Sequence, residues 1–305
     1  MKKVLITGGS GTIGKAFIKK YRNKYQFINY SRNEKSIFEL SKEFPEVINV
    51  VGDVTDLPLL LKTFGENKPD IIIHAAALKH IDIAEKNPTQ AVKLNIIASH
   101  NIVSAALLCD IKLIIGISTD KACEPESVYG YTKKLMEDMF IDSYTKNNKF
   151  ICTRFANVAG SNGSVIPFWK NLLEKNENLK LTDPNMNRLM FSKDQAAELI
   201  QKAIELTEQI SDKPFVLSKK MKSVNLLKLA KTMSSKEINL IDKRVGEKLN
   251  EKLISEKELP FTSVLDDYIL IFKDRQPSDK NLSMEYSSLT AEQANTEDML
   301  YLINQ

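Results

Sequence analysis

Cysteine is scarce: Cys109, Cys123 and Cys152 are the only three in 305 residues, and no two form a CxxC pair. That excludes a disulfide framework or a thiolate zinc site and points to a reducing compartment. Only three histidines occur, so no histidine-built metal centre is expected, and His74 is read as a core residue. A strong excess of one charge is also missing. The 43 Lys+Arg face 39 Asp+Glu, and the net +4 is too small to mark a nucleic-acid binder. Apolar runs such as 70–78 and 113–117 fall short of the roughly 18 residues a membrane span needs. Near the start, only Val4, Leu5 and Ile6 follow the two lysines before Thr7-Gly8, too short an apolar region for a signal peptide. These absences describe a soluble, cytoplasmic protein without metal, membrane or nucleic-acid partner. What remains is ordinary globular composition, 43% hydrophobic and 27% charged, in a chain long enough to fold without staples.

The first half alternates short β-branched runs (4–7, 26–30, 48–52, 71–75, 113–118, 150–154) with helical patterns (14–21, 36–42, 57–64, 89–108, 129–146). The runs are almost continuously apolar, as expected of parallel strands covered by helices on both faces. The pattern predicts an α/β, Rossmann-type doubly wound parallel sheet over residues 1–163. Residues 164–305 are expected to form mainly a smaller substrate-binding lobe, with a strand near 214–218 returning to the sheet. Helices are expected over 194–208 and 224–233, and the lysine-rich 213–257 stretch reads as a solvated mixed-charge face.

Gly8-Gly9-Ser10-Gly11-Thr12-Ile13-Gly14 joins the first strand to the first helix, with Gly8, Gly11 and Gly14 spaced GxxGxxG. Glycines here permit a tight turn, approach of backbone to a pyrophosphate and close helix–strand contact, with the helix N-terminus facing the anion. A dinucleotide is therefore expected along Gly8, Ser10, Gly11, Thr12, Ile13 and Gly14. The second strand ends in Ser31-Arg32 where an NAD binder usually carries a carboxylate, so a 2′-phosphate and NADP are favoured over NAD. Asp53, beside Val54, either accepts from the adenine amino group or caps the following turn.

Tyr129 and Lys133 lie four apart at the start of a helix, on one face, where an ammonium would lower the phenol's pKa toward that of a general base. Ser118-Thr119-Asp120-Lys121 ends a buried strand at the edge where ligands of open α/β sheets gather. Cys123 has no neighbouring base to make it a nucleophile, and Phe168 with Trp169 is expected to fill the lobe interface.

Together these motifs resemble the extended short-chain dehydrogenases/reductases. In particular, four segments are similar to the UDP-N-acetylglucosamine 4,6-dehydratases of polysaccharide biosynthesis, especially the soluble inverting group of the pseudaminic acid pathway. They are His74-Ala75-Ala76-Ala77-Leu78-Lys79-His80, Ile117-Ser118-Thr119-Asp120-Lys121-Ala122, Tyr129-Gly130-Tyr131-Thr132-Lys133, and Arg154 through Pro167. The likeness runs from about Lys3 to Gly246-Glu247-Lys248-Leu249 and weakly beyond.

The resemblance implies that Tyr129, with Lys133, takes the sugar 4-hydroxyl proton while Thr119 holds the 4-oxygen. It implies that Lys121 removes the C-5 proton and Asp120 protonates the departing 6-hydroxyl, with inversion at C-5. Desolvation would make such a lysine neutral enough to act as base. Retaining relatives carry Asp-Glu where this chain has Asp120-Lys121. The same resemblance assigns Val54, Ala75, Ala76, Ala77, Lys79 and Asn95 to the site of a tightly bound, recycled NADP, with Asn95 holding a water or a backbone carbonyl beside Tyr129. It assigns Lys79, His80, Asn157, Ser164, Val165, Ile166, Thr182, Arg188, Arg244 and Glu247 to a UDP-sugar. One departure, Leu189-Met190-Phe191 in place of an aromatic-rich stretch, bears on which UDP-sugar fits. A nucleotide-sugar 4-epimerase, a retaining dehydratase and a non-catalytic NADP-binding scaffold remain as alternatives. Pairing through the two long helices into a homo-oligomer is expected.

Overall fold

The computed structural model describes residues 1–210, 213–243 and 246–305. Six strands, β1 (Lys2–Thr7), β2 (Tyr25–Ser31), β3 (Ile48–Val51), β4 (Ile71–His74), β5 (Leu113–Thr119) and β6 (Lys149–Phe155), pair in parallel in the spatial order 3-2-1-4-5-6. This is the Rossmann arrangement, whose order reverses between β1 and β4 and opens a crevice at their carboxyl ends. The strands lie within a few residues of the expected runs because their Val/Ile/Leu content suits burial on both faces. Strand Phe215–Lys219 pairs in parallel with β6, and the antiparallel strands Tyr268–Phe272 and Thr262–Leu265 extend the sheet to nine.

The helices expected in the first half form, with one departure. Between Pro88 and Leu108 the helix widens into a single π-turn at Lys93–Ile97. This 21-residue stretch is also long and apolar enough to span a membrane, which the inspection of short apolar runs missed. Half of it is buried in the protein, and Asn95, Ser99 and Asn101 make hydrogen bonds inside. Helix Val128–Asp142 is started by Ser127, whose hydroxyl accepts from the Gly130 amide at 3.1 Å.

A second apolar cluster gathers Ile166, Trp169, Leu181, Met186, Met190, Leu226 and Leu229, with Met299 and Leu302 from the last helix. It sits beyond the carboxyl ends of the sheet. A buried ion cluster joins the sheet to the C-terminal segment. Arg154 on β6 is 1% exposed and donates twice to Glu137 (2.8 and 3.0 Å) and twice to Glu258 (2.8 and 3.1 Å). It also donates to the Leu253 carbonyl at 2.9 Å.

Candidate active site

Two cavities, of about 550 and 560 Å³, lie side by side at the carboxyl edge of the sheet. The first follows the glycine loop. Gly8 has φ +72°, the left-handed region, and a Cβ on Gly14 would collide with the backbone of Gly9. The loop therefore lies flat against the N-terminus of helix Thr12–Tyr21, leaving backbone room for an anion there. Gly8, Ser10, Gly11, Thr12, Ile13, Gly14, Ser31, Arg32, Asp53, Val54, Ala75, Ala76, Ala77, Lys79, Tyr129 and Lys133 all line this cavity. Ser118 contributes to the same wall, and its buried hydroxyl has no partner in the protein. The cradle and the spare hydroxyl fit a dinucleotide.

Asn95, expected at the cofactor, lines neither cavity. The π-turn directs its amide to the Leu78 backbone (accepting at 2.8 Å, donating at 3.0 Å) and to Thr132 at 3.0 Å. It fixes the backbone beside the cavity instead. Asp53 is occupied as a turn cap: Oδ1 accepts from the Thr55 amide and hydroxyl (2.9 and 2.8 Å), while Oδ2 pairs with exposed Arg32 at 3.2 Å. His74 is a core residue between Thr7 and Ser99 (2.8 and 3.1 Å), and burial pushes its pKa down to about 3, keeping it neutral. Among the described residues no cluster of metal-ligating side chains occurs.

The second cavity is lined by Lys79, His80, Asn157, Ser164, Val165, Ile166, Thr182, Arg188 and Glu247. Arg244 lies outside the described residues. Ser164 precedes helix Val165–Glu174, and its buried hydroxyl also lacks a partner, so a helix N-terminus and a free hydroxyl face the same space. Arg188 is 7% exposed, held by the carbonyls of Asn187 (2.8 Å) and Leu249 (3.1 Å), with Glu247 at 3.9 Å. Trp169, Met190 and Leu226 supply apolar wall.

Lys121 lines both cavities and so marks their junction. Its Nζ is 2.9 Å from Asp120 and 3.6 Å from Glu251. Sequence reasoning missed Glu251, which is 4% exposed, lines the second cavity and has no periodic or motif signal around it. The charge of Lys121 differs from the sequence expectation. Burial disfavours the ammonium, but the Asp120 and Glu251 carboxylates outweigh burial and raise the pKa above the ordinary 10.5. Asp120 is 1% exposed and reaches the cavities through its contact with Lys121. Its Oδ1 accepts from Thr119 and Lys121, each at 2.9 Å, while Oδ2 is buried without a partner.

The tyrosine–lysine pair also differs in its electrostatics. Burial pushes Tyr129 up to about 12, opposed chiefly by the Lys121 charge. Burial brings Lys133 down to about 8, and its Nζ points to the Met136 sulfur at 3.1 Å. The cation that acts on the phenol is thus Lys121, while burial weakens the Lys133 ammonium.

Comparison with known proteins identifies relatives in sequence and in fold. Residues 4–273 match the model of the family described as "Polysaccharide biosynthesis protein". The inverting UDP-N-acetylglucosamine 4,6-dehydratase of Campylobacter jejuni (serotype O:23/36) is 35% identical, over 88% of this chain and 82% of that protein. An uncharacterized membrane protein of Methanocaldococcus jannaschii is also 35% identical, over 100% of this chain and 96% of that one. The crystal structure of Pen from Bacillus thuringiensis superposes with a TM-score of 0.90 at 29% identity, covering 99% of this chain and 97% of that one. A UDP-glucose 4-epimerase of Rickettsia bellii is 30% identical over 90% of this chain and 83% of that protein. The chain therefore belongs to the polysaccharide biosynthesis protein family, within the extended short-chain dehydrogenases/reductases.

Proposed function

We propose that this chain is an NADP-dependent UDP-N-acetylglucosamine 4,6-dehydratase that inverts C-5. The observation that carries the reading is the junction: Lys121 is shared by a dinucleotide-shaped cavity and a phosphate-suited one, with Tyr129 and Thr119 beside it. NADP in the first cavity would be held by the glycine loop, Ser31, Arg32 and Lys79. Bound there, it would accept hydride from C-4 and return it to C-6. Arg188 and the N-terminus of helix Val165–Glu174 suit the UDP pyrophosphate, and Glu247 suits its ribose.

Tyr129, as the phenolate, would take the 4-hydroxyl proton, and the Lys121 charge works against burial to favour that phenolate. Transfer of the Lys121 proton to Asp120, 2.9 Å away, creates both groups that dehydration needs: an amine to remove the C-5 proton and a carboxylic acid for the leaving hydroxyl. The Campylobacter relative supports the substrate and stereochemistry. Residues 1–163 would serve mainly the dinucleotide and 164–305 mainly the sugar nucleotide. Exposed Val92, Ile97, Leu108, Tyr131 and Leu135 on the two long helices support a homo-oligomer. The three cysteines are free, which supports a cytoplasmic placement.

A proton NMR time course with UDP-N-acetylglucosamine in heavy water tests the reading. The expected product carries a new 6-deoxy methyl signal, deuterium at C-5 and the couplings of the L-arabino sugar. A retained D-configuration overturns the stereochemistry, and accumulation of the C-4 epimer alone replaces dehydration with epimerisation. An Arg32→Ala variant should lose NADP affinity while leaving NAD affinity unchanged.

A further inference from the structure

Glu251 belongs to none of the motifs, yet its placement is among the most constrained in the site. It precedes strand Lys252–Ile254, and its backbone is fixed on both sides by Ser288. The Glu251 amide donates to Ser288 Oγ at 3.0 Å, and the Ser288 amide donates back to the Glu251 carbonyl at 2.9 Å. The side chain is thereby delivered from the C-terminal half to within 3.6 Å of Lys121 Nζ. The charged or titratable groups facing Lys121 are Asp120 on its own turn, Glu251, Arg188 on strand Asn187–Phe191, and Tyr129 on helix Val128–Asp142. Those facing Glu251 are Lys121, Asp120, Arg188 and Lys248.

We propose that Glu251 is a positioning residue that holds the Lys121 ammonium at the junction of the two cavities and sets the pH at which Lys121 gives up its proton. The inference deepens the dehydratase reading and takes its catalytic meaning from it. With Glu251 ionised, two carboxylates flank one ammonium, and both oppose loss of its proton. Lys121 becomes the free amine only when that proton leaves the pair, and the Glu251 charge sets how readily this happens. No electron transfer is involved.

The test is a pH titration of the Lys121 ¹³Cε resonance in lysine-labelled, unliganded protein, assigned by its disappearance in Lys121→Met. In the wild type, the resonance should stay in its ammonium position to the alkaline limit of folding. In Glu251→Gln, loss of one nearby opposite charge should bring the midpoint down by about one pH unit or more. The acid limb of the kcat/KM profile should move the same way, with KM for UDP-N-acetylglucosamine little changed. Glu251→Asp retains the charge and should, like the wild type, keep the ammonium to the alkaline limit of folding, which separates charge from folding if the glutamine variant is unstable. An unmoved Lys121 titration in Glu251→Gln overturns the proposal even if the wild type dehydrates its substrate. A moved titration without any dehydration by the wild type overturns the enzymatic reading and leaves the Glu251–Lys121 coupling standing.

Discussion

The cavity along the glycine loop is walled mainly by backbone and small side chains at consecutive strand ends, whereas its neighbour draws charged groups from segments far apart in the chain. In the first, Gly8, Gly14, Ala75, Ala76 and Ala77 make room along the backbone, and the charged Arg32 stands exposed at one end. In the second, Lys79, Arg188, Glu247 and Glu251 surround the space, and Arg188 and Glu251 are buried enough for their charges to act at low dielectric. The difference teaches that the two halves of the site fail differently. The first is sensitive to added volume, the second to lost charge, and the seam at Tyr129 and Lys121 is sensitive to the placement of a proton.

The largest expected effect lies at the seam. Tyr129→Phe should lower turnover by about 10²–10⁴ while leaving binding of both UDP and NADP intact, as read by steady-state kinetics and isothermal titration. Turnover within threefold of the wild type would remove Tyr129 from the chemistry. Next, Arg188→Met should weaken UDP binding through loss of a charge-assisted hydrogen bond worth about 1.5–3 kcal/mol, without changing NADP affinity. The reverse dissociation is expected of Gly14→Val. Its side chain would strike the Gly9 backbone, lowering stability by about 1–3 kcal/mol and weakening NADP far more than UDP. If either variant impaired both ligands equally, the two-material description would fail.

The smallest effect concerns the ion cluster behind the seam. Burial acts against the Glu258 carboxylate, but Arg154 outweighs it and holds the pKa at about 2, below the ordinary 4.5. A carboxylate depressed in the folded state contributes stability that is fully present above pH 4.5 and is lost as pH falls toward 2. Glu258→Gln should therefore lower stability at neutral pH and flatten the decline across that acid window, measured by chemical denaturation at a series of pH values. An unchanged acid slope would mean that Arg154 is served by Glu137 alone.

Much of the first cavity was legible in the sequence because its determinants are local. The glycine spacing, the strand before it and the helix after it fall within a few consecutive residues, as do Tyr129 and Lys133. The second cavity was legible only through resemblance, since nothing in local spacing brings Arg188 near Lys79 or Ser164. Glu251 escaped entirely, for it meets Lys121 across 130 residues by way of Ser288 and the C-terminal strands. The charge of Lys121 has one local and one distant source: burial alone lowers a lysine, and adjacent Asp120 together with Glu251 reverses the sign. Asn95 lines neither cavity because a π-turn, invisible in the apolar pattern of residues 89–108, directs it to the Leu78 backbone, the carbonyl contact that the family resemblance allows.

The account stands most directly on the two cavities working as one site, on one sugar, through one internal redox cycle. UDP-N-acetylglucosamine deuterated at C-4, incubated with the holoprotein and followed by ²H and ¹³C NMR, tests this. The account predicts that the label leaves C-4 and appears in the 6-methyl group of the product as CH₂D, without exchange with solvent. Return of the label to C-4 of an epimerised sugar, or its loss to solvent, would contradict it.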